Sequence, residues 1–143
     1  MAIATIMLVD DEIPFVEAMT KRLTRKNLEV ETAFNGSEAL EKLTACRMTE
    51  VVILDVKMPG MDGIETLQAI KQRVPLVEVI MLTGHATVES AIEGMKLGAF
   101  DYLMKPCDMN HLIAKVTEAA ARKRHHEEKI INARIKEITN RYA

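Results

Sequence analysis

Short apolar runs alternate five times with amphipathic stretches over residues 3–105, and this alternation constrains the fold more than any other feature of the chain. Residues 3–9, 28–34, 51–54, 77–82 and 100–104 read as strands. The first, third and fourth are almost wholly apolar, as strands covered on both faces of a sheet are. Between the runs, Phe15, Ala18, Met19 and Leu23 fall on one helical face, as do Ala39, Leu40 and Leu43. Leu67 with Ile70, and then Val88, Ala91, Ile92 and Met95, repeat that periodicity. Pro14 suits a first helical turn, Asp62 a third N-cap, and Gly98 the end of a fourth helix, while Asn35-Gly36 reads as a plain turn. Strand–helix alternation of this kind predicts an α/β fold, a five-stranded parallel sheet wound on both faces by helices.

Composition narrows the functions open to such a fold. With 143 residues, 48% hydrophobic and 28% charged, the chain has the makings of one ordinary globular domain. A net charge of −2 gives no basic face for nucleic acid, so direct nucleic-acid binding is not expected. No apolar run reaches the roughly 18 residues of a membrane span, and the acidic start is unlike a signal peptide. Cys46 and Cys107 form no spaced framework, which predicts reduced thiols and a cytoplasmic location.

In doubly wound sheets the site lies beyond the carboxyl ends of the strands. There the first run delivers Asp10-Asp11-Glu12, the third Asp55, the fourth Thr83-Gly84-His85 and the fifth Lys105-Pro106. Carboxylates crowded together repel unless a cation intervenes, and an all-oxygen set suits a hard ion, Mg²⁺ above all. A lysine and a threonine hydroxyl beside it suit a phosphoryl group, and Asp55 can then act as a nucleophile on phosphorus.

Four motifs carry this set: LVDDE (8–12), LDVKMPGMDG (54–63), MLTGHA (81–86) and YLMKP (102–106). In this order and spacing they resemble the receiver domain of bacterial two-component response regulators, over roughly residues 4–121. The run TGHATVESAIEGMKLGAFDYLMKP resembles most the receivers of the nitrogen-regulator class. The resemblance implies a flavodoxin-like (βα)5 fold with strand order 2-1-3-4-5. It implies that Asp55 is the phosphoacceptor, served by a sensor histidine kinase. Asp11 would ligate Mg²⁺ directly, Asp10 through water, and the Lys57 backbone carbonyl would add a further ligand. Thr83 and Lys105 would bind the phosphoryl oxygens, the Lys105-Pro106 peptide would be cis, and Tyr102 would be the switch aromatic. Lys57 and His85 stand where they would influence the phosphoryl lifetime. Output to a downstream protein is expected through the fourth helix, fifth strand and fifth helix, and kinase docking near Pro14, Phe15 and Met19.

Rival functions fit less well. A haloacid dehalogenase-type phosphohydrolase wants a D-x-D nucleophile at the first strand, whereas Asp10 and Asp11 are adjacent. A flavodoxin-like electron carrier needs a phosphate loop that the acidic VDDEIP segment would repel. The reading is therefore a phosphoacceptor switch rather than an enzyme, either standing alone or as the front end of a DNA-binding activator. Residues 1–121 make the receiver and 122–143 a charged helical extension. From Asp108 onward the chain has neither glycine nor proline, which predicts a long helix from Asn110 to near Ala143. Ile131, Ile135, Ile138 and Tyr142 keep a 4-3-4 spacing, the seam of a short coiled coil, so a homodimer is expected. His125 and His126, being adjacent, point apart and predict no metal site.

Overall fold

The computed structural model describes residues 2–142. Strands β1 (Thr5–Val9), β2 (Glu29–Ala33), β3 (Val51–Leu54), β4 (Glu78–Thr83) and β5 (Asp101–Met104) alternate with helices α1 (Ile13–Arg25), α2 (Gly36–Ala45), α3 (Gly63–Arg73), α4 (Val88–Lys96) and α5 (Met109–Tyr142). All neighbouring strands pair in parallel, in the order β2-β1-β3-β4-β5. The chain leaves β1 toward one side for β2 and returns to the other side for β3. The switch point therefore lies between the ends of β1 and β3, where Val9 is in register with Leu54.

The alternation of side chains along each strand divides the core in two. Ile6, Leu8, Ile53, Ile80 and Leu82 point to one face, which α1 covers with Val16, Met19 and Leu23 and α5 covers with Leu112, Val116 and Ala119. Met7, Val9, Val52, Leu54, Val79 and Met81 point to the other, under Leu40 and Leu43 of α2 and Leu67 and Ile70 of α3. Every residue of β3 and β4 is buried, including Thr83. Burial of each large aliphatic side chain contributes roughly 1.5–3 kcal/mol, so these central strands are the rigid part of the domain.

Several local expectations are corrected. Ala18 is exposed, and the inner face of α1 is Val16, Met19 and Leu23. β1 starts at Thr5 rather than Ile3, and β4 runs on to Thr83. Asn35 makes no plain turn: its side chain accepts from the Glu38 amide and caps α2, while Glu38 Oε1 accepts from the Phe34 amide at 2.7 Å. The largest departure is α4. Its apolar residues Val88, Ile92 and Met95 are 75%, 50% and 47% exposed, and its buried residue is Gly94. The helix shows its apolar stripe to solvent and a small-residue face to the domain. α5 is one continuous helix of 34 residues, about 51 Å long, and Ile131, Ile135, Ile138 and Tyr142 along its second half are all exposed. Ala143 lies outside the described residues.

Candidate functional site

The carboxyl ends of β1 and β3 bring Asp10 and Asp55 side by side, 1% and 2% exposed, with Asp11 above them at the surface. One ligand atom from each of the three lies within 4.8 Å of the others. Asp10 Oδ1 accepts from the Glu12 amide at 2.9 Å and Asp55 Oδ1 from the Val56 amide at 2.9 Å. These bonds aim the carboxylates while leaving the second oxygen of Asp55 without a hydrogen-bond partner among the described residues. Gly63 explains the turn behind Asp55. Its amide donates to the Val56 carbonyl at 2.7 Å, and a Cβ at this position would collide with the Asp55 carbonyl and Val56 Cα. Only glycine lets α3 begin this close to the site.

Lys105 reaches back from the end of β5, across the cis Lys105-Pro106 peptide bond, to the same cluster. Its ammonium bonds Asp10 Oδ2 at 2.5 Å, lies 3.5 Å from Glu12 Oε1, and sits 3.9 Å over the ring of Phe15. Burial pushes the Asp10 carboxyl above its ordinary value, with the Asp55 charge adding to it against the opposing pull of Lys105. Burial opposes the charge on Lys105 too, but the hydrogen bond to Asp10 and the charges of Asp10, Asp55 and Glu12 outweigh it, so its pKa is raised. The set is thus electrostatically unfinished: three acids share one ammonium. A divalent cation fits this donor set, since it would favour the charged form that burial, and to a lesser extent the Asp55 charge, opposes at Asp10.

Thr83 is fully buried at the end of β4, and its hydroxyl accepts from the His85 amide at 3.0 Å. Lys57 and His85 are exposed and, with Asp11, Glu12, Met58 and Pro59, line an open cleft of about 450 Å³ over the cluster. Tyr102 is half-buried against the core beneath α4, with its hydroxyl 2.7 Å from Ser90 Oγ. The sequence reading passed over Ser90 and over Phe15 as the floor under Lys105. The Thr87-x-x-Ser90 spacing of a capping box was the available signal for the first. Met19 is core and cannot serve as a docking residue. His125 and His126 have ring centroids 6.3 Å apart, and the one group of acids, histidines or cysteines suited to a metal among the described residues is the Asp10-Asp11-Asp55 cluster.

Residues 6–117 match the model of the response regulator receiver domain. The chain belongs to that family. This receiver is 37% identical over 121 residues, 85% of the chain, to the DNA-binding transcriptional regulator NtrC of Klebsiella pneumoniae, covering 25% of that protein. It is 38% identical over 122 residues, 85% of the chain, to the transcriptional regulatory protein ZraR of Klebsiella oxytoca, covering 27% of it. The chain thus spans about a quarter of the length of these curated relatives. Among solved structures, a response regulator receiver domain protein of Clostridium thermocellum superposes with a TM-score of 0.80 at 38% identity, over 85% of this chain and 97% of that one. NtrX of Brucella abortus superposes with a TM-score of 0.79 at 31% identity, over 90% of this chain and 29% of that one. The receiver is of the NtrC and NtrX kind, a phosphoacceptor module of two-component signalling and a signalling switch. Among its described residues no helix is long and apolar enough to cross a membrane.

Proposed function

We propose that Asp55 accepts the phosphoryl group of a histidine kinase's phosphohistidine. The free Asp55 oxygen forms the new O–P bond while the P–N bond breaks and its electron pair returns to the imidazole. The observation that carries this is the convergence of Asp10, Asp11 and Asp55 within 4.8 Å, beside Lys105, at the switch point of the sheet. Asp10, Asp11, Asp55 and the Lys57 backbone carbonyl would hold Mg²⁺, which when bound supplies charge neutralisation for the phosphoryl oxygens. Lys105 exchanges part of its contact with Asp10 for the phosphoryl group, and Thr83 gives up the His85 amide to donate to it. Lys57 and His85, at the rim, control the water that ends the phosphorylated state. The domain hydrolyses no separate substrate; at most it promotes its own phosphorylation and dephosphorylation.

Output follows through α4, β5 and the first half of α5, where Val88, Ile92, Met95 and the 65% exposed Met104 offer an apolar surface to a partner protein. Residues 1–121 form the receiver and 122–143 a helical extension that pairs with a second copy through Ile131, Ile135, Ile138 and Tyr142. The named relatives are DNA-binding regulators, which favours a role for this receiver at the front of such a regulator in the cytoplasm. The test of the core claim is direct. Incubation with acetyl phosphate and Mg²⁺ should add one labile phosphoryl group by intact mass, absent in Asp55→Asn; full labelling of that variant would sink the assignment.

A further inference from the structure

We infer that Ser90 is a positioning residue for the switch, holding Tyr102 against α4 before any phosphoryl group arrives. The inference rests on the proposed roles of Asp55 and Tyr102, and goes beyond them to a residue of α4. The inner face of this helix presents Ser90 and, one turn on, Gly94. A Cβ built on Gly94 would stand 3.8 Å from Tyr102 Cδ2, an ordinary packing distance, so the ring lies against this face of the helix. Beyond the ring, Tyr102 and Ser90 share the 2.7 Å hydroxyl contact.

Ser90 Oγ is a shared hub: it lies 3.1 Å from the Thr87 carbonyl, to which it can donate, and 3.2 Å from the Thr87 amide and 2.9 Å from Thr87 Oγ1, from which it can accept. Either hydroxyl can donate across the Tyr102–Ser90 contact, and the α4 capping box and the switch tyrosine meet on one oxygen. Thr83 at the same time accepts from the amide of His85 within its own loop. The ring is thus half-buried and bonded to α4 while Thr83 is engaged within its own loop. Its side-chain hydrogen-bond partner there is Ser90, with Gly94 in van der Waals range of the ring.

The consequence is thermodynamic. A group that favours the inward ring in the resting chain shifts the equilibrium that phosphorylation also favours, so the two are linked. Losing one such hydrogen bond changes an equilibrium by about five-fold. The test uses the full chain labelled with 3-fluorotyrosine; it has two tyrosines, and Tyr142→Phe assigns their resonances. In Ser90→Ala the Tyr102 ¹⁹F signal should move toward the solvent-exposed position, and Ser90→Thr should restore the original one. Phosphorylation rates with acetyl phosphate are then compared for Ser90→Ala, Tyr102→Phe and the double variant. Each single change should slow the reaction by up to about five-fold, and the double variant should be no slower than either. An unmoved ¹⁹F signal in Ser90→Ala, or multiplied losses in the double variant, would mean that Ser90 serves the helix cap alone. Failure of the wild-type chain to gain an adduct on Asp55 would refute the phosphoacceptor reading instead, and the ¹⁹F comparison would still decide the role of Ser90.

Discussion

Replacing Arg124 by alanine should loosen α5 from the edge of the sheet opposite the Asp10-Asp11-Asp55 cluster. Arg124 Nε donates to Glu50 Oε2 at 2.5 Å, while Nη2 donates to Glu50 Oε1 at 2.8 Å and to the Ile3 carbonyl at 2.9 Å. Glu50 has a side chain only 14% exposed and otherwise accepts from the Thr5 amide at 3.1 Å. Arg124 itself is half exposed, so as a surface pair it would be worth at most about 1 kcal/mol. Its removal, however, leaves a mostly buried carboxylate with one amide for company, which adds about 1 kcal/mol more. A loss of about 1–2 kcal/mol lowers the melting temperature of a domain this size by roughly 3–6 °C.

The pH dependence tests the cause. Burial raises the pKa of Glu50, but the bonds from Arg124 and the Thr5 amide and the charges of Arg124 and Lys123 outweigh it, so its carboxyl sits below the ordinary 4.5. A carboxyl depressed on folding adds stability that is complete above pH 4.5 and is lost as pH falls through the folded value. The difference between wild type and Arg124→Ala should therefore be largest at neutral pH and should close below 4.5. Thermal unfolding followed by circular dichroism from pH 7 downward reads both. Equal melting temperatures at pH 7, or a difference that does not shrink with acid, would refute the argument, and a Glu50→Gln background should abolish most of the effect.

Three further outcomes are expected. Gly63→Ala should destabilise the chain by about 3 kcal/mol or more in urea unfolding, because the new Cβ meets backbone at Asp55 and Val56 that cannot step aside. Asp11→Asn should weaken Mg²⁺ binding at least ten-fold by calorimetry without lowering the melting temperature, since Asp11 is exposed and contributes a ligand rather than packing. The intact chain should be a dimer by light scattering at micromolar concentration, and Ile135→Asp, placing a charge in the middle of the exposed isoleucine stripe, should shift it toward monomer.

The placement of the candidate residues was legible because they leave four strands that are neighbours in the sheet, and a parallel sheet gathers whatever follows each strand at one edge. Asp10, Asp55, Thr83 and Lys105 needed only the strand assignments to be brought together. The strands themselves were legible from their apolar runs, with errors of a residue or two where Ile3 is half exposed and where Thr83 is polar but buried. The orientation of α4 was not legible, for a physical reason. Periodicity reports that Val88, Ile92 and Met95 share a face, but not which way the face looks, and here the inward positions are Ser90 and Gly94. A small-residue face packs well only when a neighbouring side chain fills the space, and Tyr102, on the following strand, does so. A window confined to the helix does not contain that information. The pairing of Arg124 with Glu50 spans 74 positions and escaped the sequence reading for the same reason.

The two ends of β3 connect these observations. Asp55 follows its last residue and Glu50 precedes its first, and the four residues between them are 0% exposed and paired on both sides. A strand so enclosed does not bend independently of its neighbours. α5 is attached at the far edge twice over, by Arg124 to Glu50 and by Arg122 Nε to Glu78 Oε2 at 3.2 Å, the latter at the start of β4. Alongside them, Lys123, Glu127 and Ile130 face Leu43, Val74 and Val77 across a cleft of about 310 Å³. The isoleucine stripe starts at the next residue. α5 is one continuous helix through this point, so the direction in which the stripe points follows the receiver rather than a flexible joint. If two copies pair through their tails as proposed, a phosphoryl group on Asp55 need not bend α5 to alter how those tails meet. A change in how the α4 and β5 surfaces of two receivers contact one another would turn each tail with its own domain. Loosening Arg124 should uncouple them, leaving phosphorylation of Asp55 intact while the dimer no longer responds to it.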